Sequence, residues 1–140
     1  MKVLLAADGS KCSMRAVKYL ASNRAMFGAK PEFHLLNVHS PLPSHVAGRL
    51  SRSVIQRYHG DAARKALAGA ERLLDSRRIA YREVRLVGDA GTVISAYAKR
   101  GKFSLVIMGS RGQGILGSLV LGSVAAKVLA NCRVPTLIIR

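Results

Sequence analysis

Acidic residues are scarce in this chain: seven Asp and Glu face twenty-three Lys and Arg, a formal net charge of +16. A field of that size draws nucleic acid, polyphosphate or acidic surfaces without selecting among them. Tryptophan is absent, and three Phe and four Tyr are the only aromatics. They form no RNP-like or helix-turn-helix signature with the basic residues, which run along the whole chain. A solvated basic surface is the plainer reading, and nucleic acid is not favoured as a partner.

Other absences narrow the field further. Cys12 and Cys132 are the only cysteines, lack metal-ligand spacing, and read as free thiols on predicted helices. No apolar run approaches the ~20 residues of a membrane span. The apolar opening Val3–Ala7 is too short for a signal peptide and is ended by Asp8. A cytoplasmic location away from membranes is expected. No glycine precedes Lys-Ser or Lys-Thr, which excludes a Walker A loop. His34, His39, His45 and His59 have no ligand spacing and no neighbouring Cys or acid cluster, so no metal site is expected. Only His39 and His45, in a long loop, are placed to face a pocket.

What remains is an alternation. At 140 residues the chain fits one domain, 1–140, able to bury roughly two-thirds of its unfolded surface. Val3–Ala7 reads as a strand buried on both faces. Asp8-Gly9-Ser10 breaks it, and a helix follows with Ala16, Val17, Leu20 and Ala21 on one stripe, closed by Gly28 and Pro31. Glu32–Val38 is the second strand, and His39–Gly48, with two prolines, reads as a loop. Ser51–Arg77 is helical, with Ile55, Tyr58, Ala62, Ala66 and Leu73 roughly on one face and arginines on the other.

Tyr81–Val87 alternates as a third strand, and Asp89 caps a helix through Val93, Ile94, Tyr97 and Ala98. Phe103–Met108, Ser118–Asn131 and Val134–Ile139 complete the pattern as strand, helix and strand. Strands alternating with helices predict an α/β fold, an open parallel sheet with helices on both faces. Ligands of such sheets sit past the carboxyl ends of the strands. Asp8-Gly9-Ser10, Val38-His39 and the loop after Met108 share that edge.

The last of these segments carries the chemistry. VIMGSRGQGILGSLVLGSV runs from a strand through Gly109 and Gly112 and, nine residues later, into Gly122-Ser123 near the start of a helical pattern. Glycines let backbone approach a ligand closely, and a helix N-terminus offers unpaired N–H groups to an anion. Gly112, Gly114 and Gly117 also spell G-x-G-x-x-G, but after the fourth strand, with Leu137 where a dinucleotide site needs an acid. A ligand-free glycine loop is the bland alternative. Asp8 has one too, as a helix cap, for which Ser10 is equally suited.

Asp8-Gly9-Ser10, Gly88-Asp89, VIMGSRG, the Gly109-x-x-Gly112 and Gly122-Ser123 spacing and the closing VPTLIIR together resemble the universal stress protein family over the whole length. The resemblance implies an adenine nucleotide alpha hydrolase-like fold, a five-stranded parallel sheet of order 3-2-1-4-5. It implies the subgroup that binds ATP, or AMP or ADP, with Mg²⁺ carried on the phosphates and no dedicated protein cage. Carried over by position, Asp8 would contact the ribose side, with Ala7 and Ser10 lining the pocket, and Val38 would offer backbone hydrogen bonds to adenine. Met108 and Gly109 would lie against the ribose, Arg111 and Gly112 near the phosphates. Gly122, Ser123 and Val124 would hold phosphate through N–H groups and the Ser123 hydroxyl. A homodimer through Val134–Ile139 is also implied. Two departures stand out: Ser104 where the family often has an acid, and the strong positive charge.

The residues favour holding a nucleotide over turning it over. Asp8 is the one carboxylate in the expected crevice, with no second acid for a metal clamp and no general base. A nucleotide-responsive binding module is the resulting expectation. The alternatives are a slow ATP hydrolase on the same fold, or a basic protein associated with nucleic acid or another polyanion.

Overall fold

Short apolar stretches that stop at turn-forming residues build the sheet. In the computed structural model, which describes residues 1–113 and 121–140, the strands are β1 (Lys2–Ala6), β2 (Glu32–His39), β3 (Arg82–Val87), β4 (Leu105–Gly109) and β5 (Thr136–Ile139). All pair in parallel, in the order β3-β2-β1-β4-β5, as the family resemblance implied. The register sets Leu5 between Leu35 and Ile107, so the middle of the sheet is aliphatic across three strands.

Strand alternation divides β1 between two cores. Val3 and Leu5 point to one face, packed with Ala16, Val17 and Leu20 of α1 (Lys11–Ser22). Leu4 and Ala6 point to the other, against Ile94 and Ala98 of α4 (Ala90–Arg100) and Ala125 and Val128 of α5 (Ser123–Asn131). Each fully buried leucine stabilises the fold by about 1.5–3 kcal/mol, which is why the central strand carries no polar side chain past Lys2. A 3-10 turn (Arg24–Phe27) closes the first crossover, and a single helical turn, α2 (Ser44–Ala47), interrupts the loop expected to be irregular. His39 is the last residue of β2 and does not begin that loop.

The second long helix, α3 (Arg52–Ser76), agrees with its expected limits, with Ser51 as N-cap and Arg77 as C-cap. Its buried face does not agree. Ala63, Leu67, Ala70 and Leu74 are the buried residues, while Tyr58 is 48% exposed and Ile55 and Ala66 are half-buried. The inward stripe follows the 4-3-4 spacing, with alanines letting the helix lie close to the sheet. At 25 residues α3 is about 37 Å long, against about 26 Å for β2, so its first turns overhang the carboxyl edge. The apolar period through Ile55 and Tyr58 is therefore out of phase with the face that meets the sheet.

The last helix begins later than its pattern indicated. Leu121 and Gly122 are not helical, and Gly122 is an extended N-cap (φ −68°, ψ 156°) whose N–H donates to the Ser110 carbonyl at 2.8 Å. Ser118, where the pattern began, lies outside the described residues, as do Gly114 and Gly117 of the misplaced G-x-G-x-x-G. Cys132 is the residue that ends α5 and not part of it; both cysteines are free thiols.

The corrected stripe is open to test by denaturant unfolding. Leu67→Ala is expected to cost about 2–5 kcal/mol by leaving a cavity between α3 and the sheet. Tyr58→Ala is expected to fall within about 0.5 kcal/mol of the parent.

Candidate functional site

The carboxyl edge of the sheet is drawn together by two glycine loops that touch. β4 ends at Gly109, where a Cβ would lie 2.6 Å from the Cys12 carbonyl carbon and 2.6 Å from the Ser13 nitrogen. Only a residue without a side chain lets the strand end against the first turn of α1. At Gly112 a Cβ would meet Asp8 Oδ2 at 2.7 Å, so a side chain there would push the Asp8 carboxylate aside.

Hydrogen bonds then lace the loops. The Ser10 hydroxyl donates to the Arg111 carbonyl (3.3 Å), and Gln113 Nε2 donates to the Asp8 carbonyl (2.8 Å). Ser10 caps α1 by accepting from the Ser13 N–H at 3.2 Å. Asp8 is therefore not the cap. Its Oδ1 accepts from the Ser10 N–H at 2.9 Å, fixing the turn, while Oδ2 faces Gly112.

These loops bound a cavity of about 410 Å³ on the α4/α5 side of the sheet. The size falls in the range of small-molecule sites. Ala6, Leu36, Ile94 and Met108 give it an apolar floor, with Val38 and Ser40 at the end of β2. Ala7, Asp8, Gly109, Arg111, Gly112, Gly122, Ser123 and Val124 complete the residues singled out from the sequence that line it. Ser10 does not line it, because its hydroxyl is committed to the cap and to Arg111. His39 and His45 do not line it either; the His39 ring stands against Tyr58 and His59.

Sequence reasoning missed Gln113, which lines the cavity and ties the loops. Its position between Gly112 and Gly114 in the same loop was the available signal.

The polar end of the cavity is the start of α5. α1, α3 and α4 begin with side-chain caps from Ser10, Ser51 and Asp89, while α5 begins at Gly122 with none. Gly122 thus gives the first-turn N–H groups of α5 no side-chain acceptor, and the positive end of the helix dipole lies at this end of the cavity. Arg111 adds positive charge, and Asp8 is the one carboxylate among the described residues lining the cavity. No group of three or more His, Cys, Asp or Glu able to hold a metal occurs among the described residues. What the arrangement can do is hold a ligand with an apolar body and an anionic end.

The walls are tied to each other above the floor. Asp89 accepts from Lys127 Nζ through both oxygens at 3.0 Å, bridging α4 and α5. Gly91 makes room for the lysine stem, since a Cβ there would lie 2.7 Å from it. Bonds from the Thr92 hydroxyl and N–H, with Lys127 next, hold the Asp89 carboxyl at about 2. A lowered folded-state pKa gives stability that is complete above the ordinary carboxylate value and is lost as pH falls through about 2. In NMR titration, Thr92→Val is expected to raise the Asp89 midpoint more than Lys127→Met does.

Comparison with known proteins follows the same lines. A model described as the universal stress protein family matches residues 1–140. A Thermus aquaticus protein, named as the universal stress protein in the QAH/OAS sulfhydrylase 3′ region, is 33% identical over 140 residues, 99% of this chain and 97% of that one. The solved structure of hypothetical protein MJ0577 superposes with a TM-score of 0.82 at 21% identity, covering 99% of this chain and 94% of that chain. An Arabidopsis thaliana universal stress protein family structure with AMP bound has a TM-score of 0.70 at 18% identity, over 99% and 90% of the two chains. Universal stress proteins solved in complex with cAMP and with dAMP share the fold at TM-scores of 0.71 and 0.68.

Proposed function

The chain belongs to the universal stress protein family, and from that premise we propose that its carboxyl-edge cavity binds an adenine nucleotide. The observation that carries the reading is the uncapped α5 N-terminus, opening on the cavity beside Arg111 while the other long helices are capped by side chains. Phosphate takes the place of the missing cap: the Ser123 and Val124 N–H groups and the Ser123 hydroxyl donate to it. The base lies on the apolar floor with its edge toward the Val38 backbone, and Asp8 accepts from the ribose. ATP, with AMP or ADP as alternatives on the same contacts, is the ligand class. The bound neighbours named for AMP, cAMP and dAMP support an adenylate site of this design.

Mg²⁺ enters with the phosphates, since Asp8 alone cannot cage it. The function is then a nucleotide-responsive module of the stress response, in which occupancy sets the arrangement of the α5 and β5 end of the sheet. β5 is an edge strand whose Leu137, Ile138 and Ile139 are half-buried, and a homodimer through Val134–Ile139 would cover it.

Calorimetric titration with AMP and ATP tests the reading. Gly122→Val with Ser123→Ala removes the close approach, since even a Cβ at residue 122 would meet Arg111 Cα at 3.1 Å and the Ser110 carbonyl oxygen at 3.2 Å. Affinity is expected to fall at least about tenfold, the loss of one or two phosphate hydrogen bonds. Affinity unchanged from the parent overturns the assignment, and a monomeric mass by light scattering overturns the dimer.

A further inference from the structure

Five of the twenty-three cations stand together on one face of the α1/α3 layer. Lys11, Arg15 and Lys18 recur along the solvent side of α1, all exposed, and α1 contains no acid. α3 packs beside it, and Gly69 brings the two close: a Cβ there would lie 3.4 Å from Met14 Sδ. Lys65 and Arg72, four before and three after Gly69, are its neighbours on the same side of α3, and both are exposed.

Of the acids of α3, Asp61 is a helical neighbour of Lys65, four residues before it, and the other two stand at the β3 edge. Glu71 and Asp75 stand with Glu83 and Tyr81 at the β3 edge, and Asp61 is paired with Arg64. Among the described residues none of the five seam cations is in an ion pair. α1 is about 18 Å long and neighbouring helix axes lie about 8–10 Å apart, so five cations outside any ion pair share one small face.

We propose that this α1/α3 face binds nucleic acid through the phosphate backbone, without reading base sequence. Repeated, unpaired cations on two parallel helices suit a chain of regularly spaced phosphates. Between the two helices lie Gly69 and the half-buried Met14, with no aromatic anchor for a protein partner. The face is separate from the cavity, which opens on the α4/α5 side of the sheet, so this binding is independent of the nucleotide reading.

The test is fluorescence anisotropy of a short labelled DNA duplex and a short labelled RNA, titrated with the full chain over a salt series. Log affinity is expected to fall linearly with log salt. Arg15→Ala/Lys18→Ala/Arg72→Ala should weaken binding and make that slope shallower by about one per lost phosphate contact. Lys99→Ala/Arg100→Ala/Lys102→Ala removes the same charge from the α4 side and should leave the slope as in the parent. Alanine at these exposed positions keeps the fold, which circular dichroism verifies. Three results overturn the proposal: no binding at low salt, equal weakening by both triple variants, or tighter binding to polyglutamate or anionic vesicles than to either oligonucleotide. AMP titration of the same variants reports on the cavity separately, and is expected to match the parent.

Discussion

Everything at the carboxyl edge depends on how closely the end of β4 approaches the first turn of α1. With 2.6 Å between the position of a Gly109 Cβ and the backbone of Cys12 and Ser13, no side chain fits between them. That contact places the loop after β4 directly over the loop after β1. Asp8 can then face Gly112, Ser10 can reach the Arg111 carbonyl, and Gln113 can reach back to Asp8 across 105 residues of sequence. Residues distant in the chain become one rim because two backbones touch without side chains between them. Gly9 repeats the device one layer out, with φ +80° and a Cβ position 2.9 Å from the Ala66 carbonyl oxygen, pressing α3 onto the same turn.

The parallel sheet and the placement of the glycine loop at a strand's carboxyl end were legible because each rests on local signals, while the strand order and most of the cavity rim came with the family resemblance. Apolar runs that stop at Asp-Gly-Ser or Gly-Asp can only be strands feeding helices, and alternation makes the sheet parallel. What sequence could not show was the partner each group chooses. Ser10 and Asp8 are both good caps, and Ser10 wins because Asp8 Oδ1 is satisfied by the Ser10 amide itself. The phase of α3 was misjudged for a related reason. Ile55 and Tyr58 lie where the helix has outrun the sheet, and the inward stripe alternates alanines with Leu67 and Leu74, a phase that only a facing surface makes visible.

Capping supplies the physical distinction between scaffold and site. Three of the longer helices end their exposed N–H groups internally, with hydroxyl or carboxylate acceptors from Ser10, Ser51 and Asp89. At α5 the chain supplies a glycine, which has no side chain to accept from them, at an end that lines the cavity. A side-chain cap is worth roughly 1 kcal/mol, so omitting one lowers the stability of the empty protein and makes a bound anion stabilising by a comparable amount. The Asp89–Lys127 bridge ties the capped start of α4 to the middle of α5 and keeps those walls together.

The scarcity of acids takes on meaning once their positions are known. Glu32 serves His34 and Lys2, Asp61 serves Arg64, Glu83 serves Arg85, Asp89 caps α4, and Asp8 fixes the first turn. Glu71 and Asp75 are gathered with Tyr81 at the β3 edge, where burial and those carboxylates push the phenol up to about 12. Each acid thus has a local structural partner, and none is left to offset the cations of α1. Exposed ion pairs add about 0–1 kcal/mol each, so neutralising those cations would have done little for the fold. Leaving them unpaired costs self-repulsion and gives a face whose field extends to about a Debye length, 8 Å at physiological salt, and attracts polyanions.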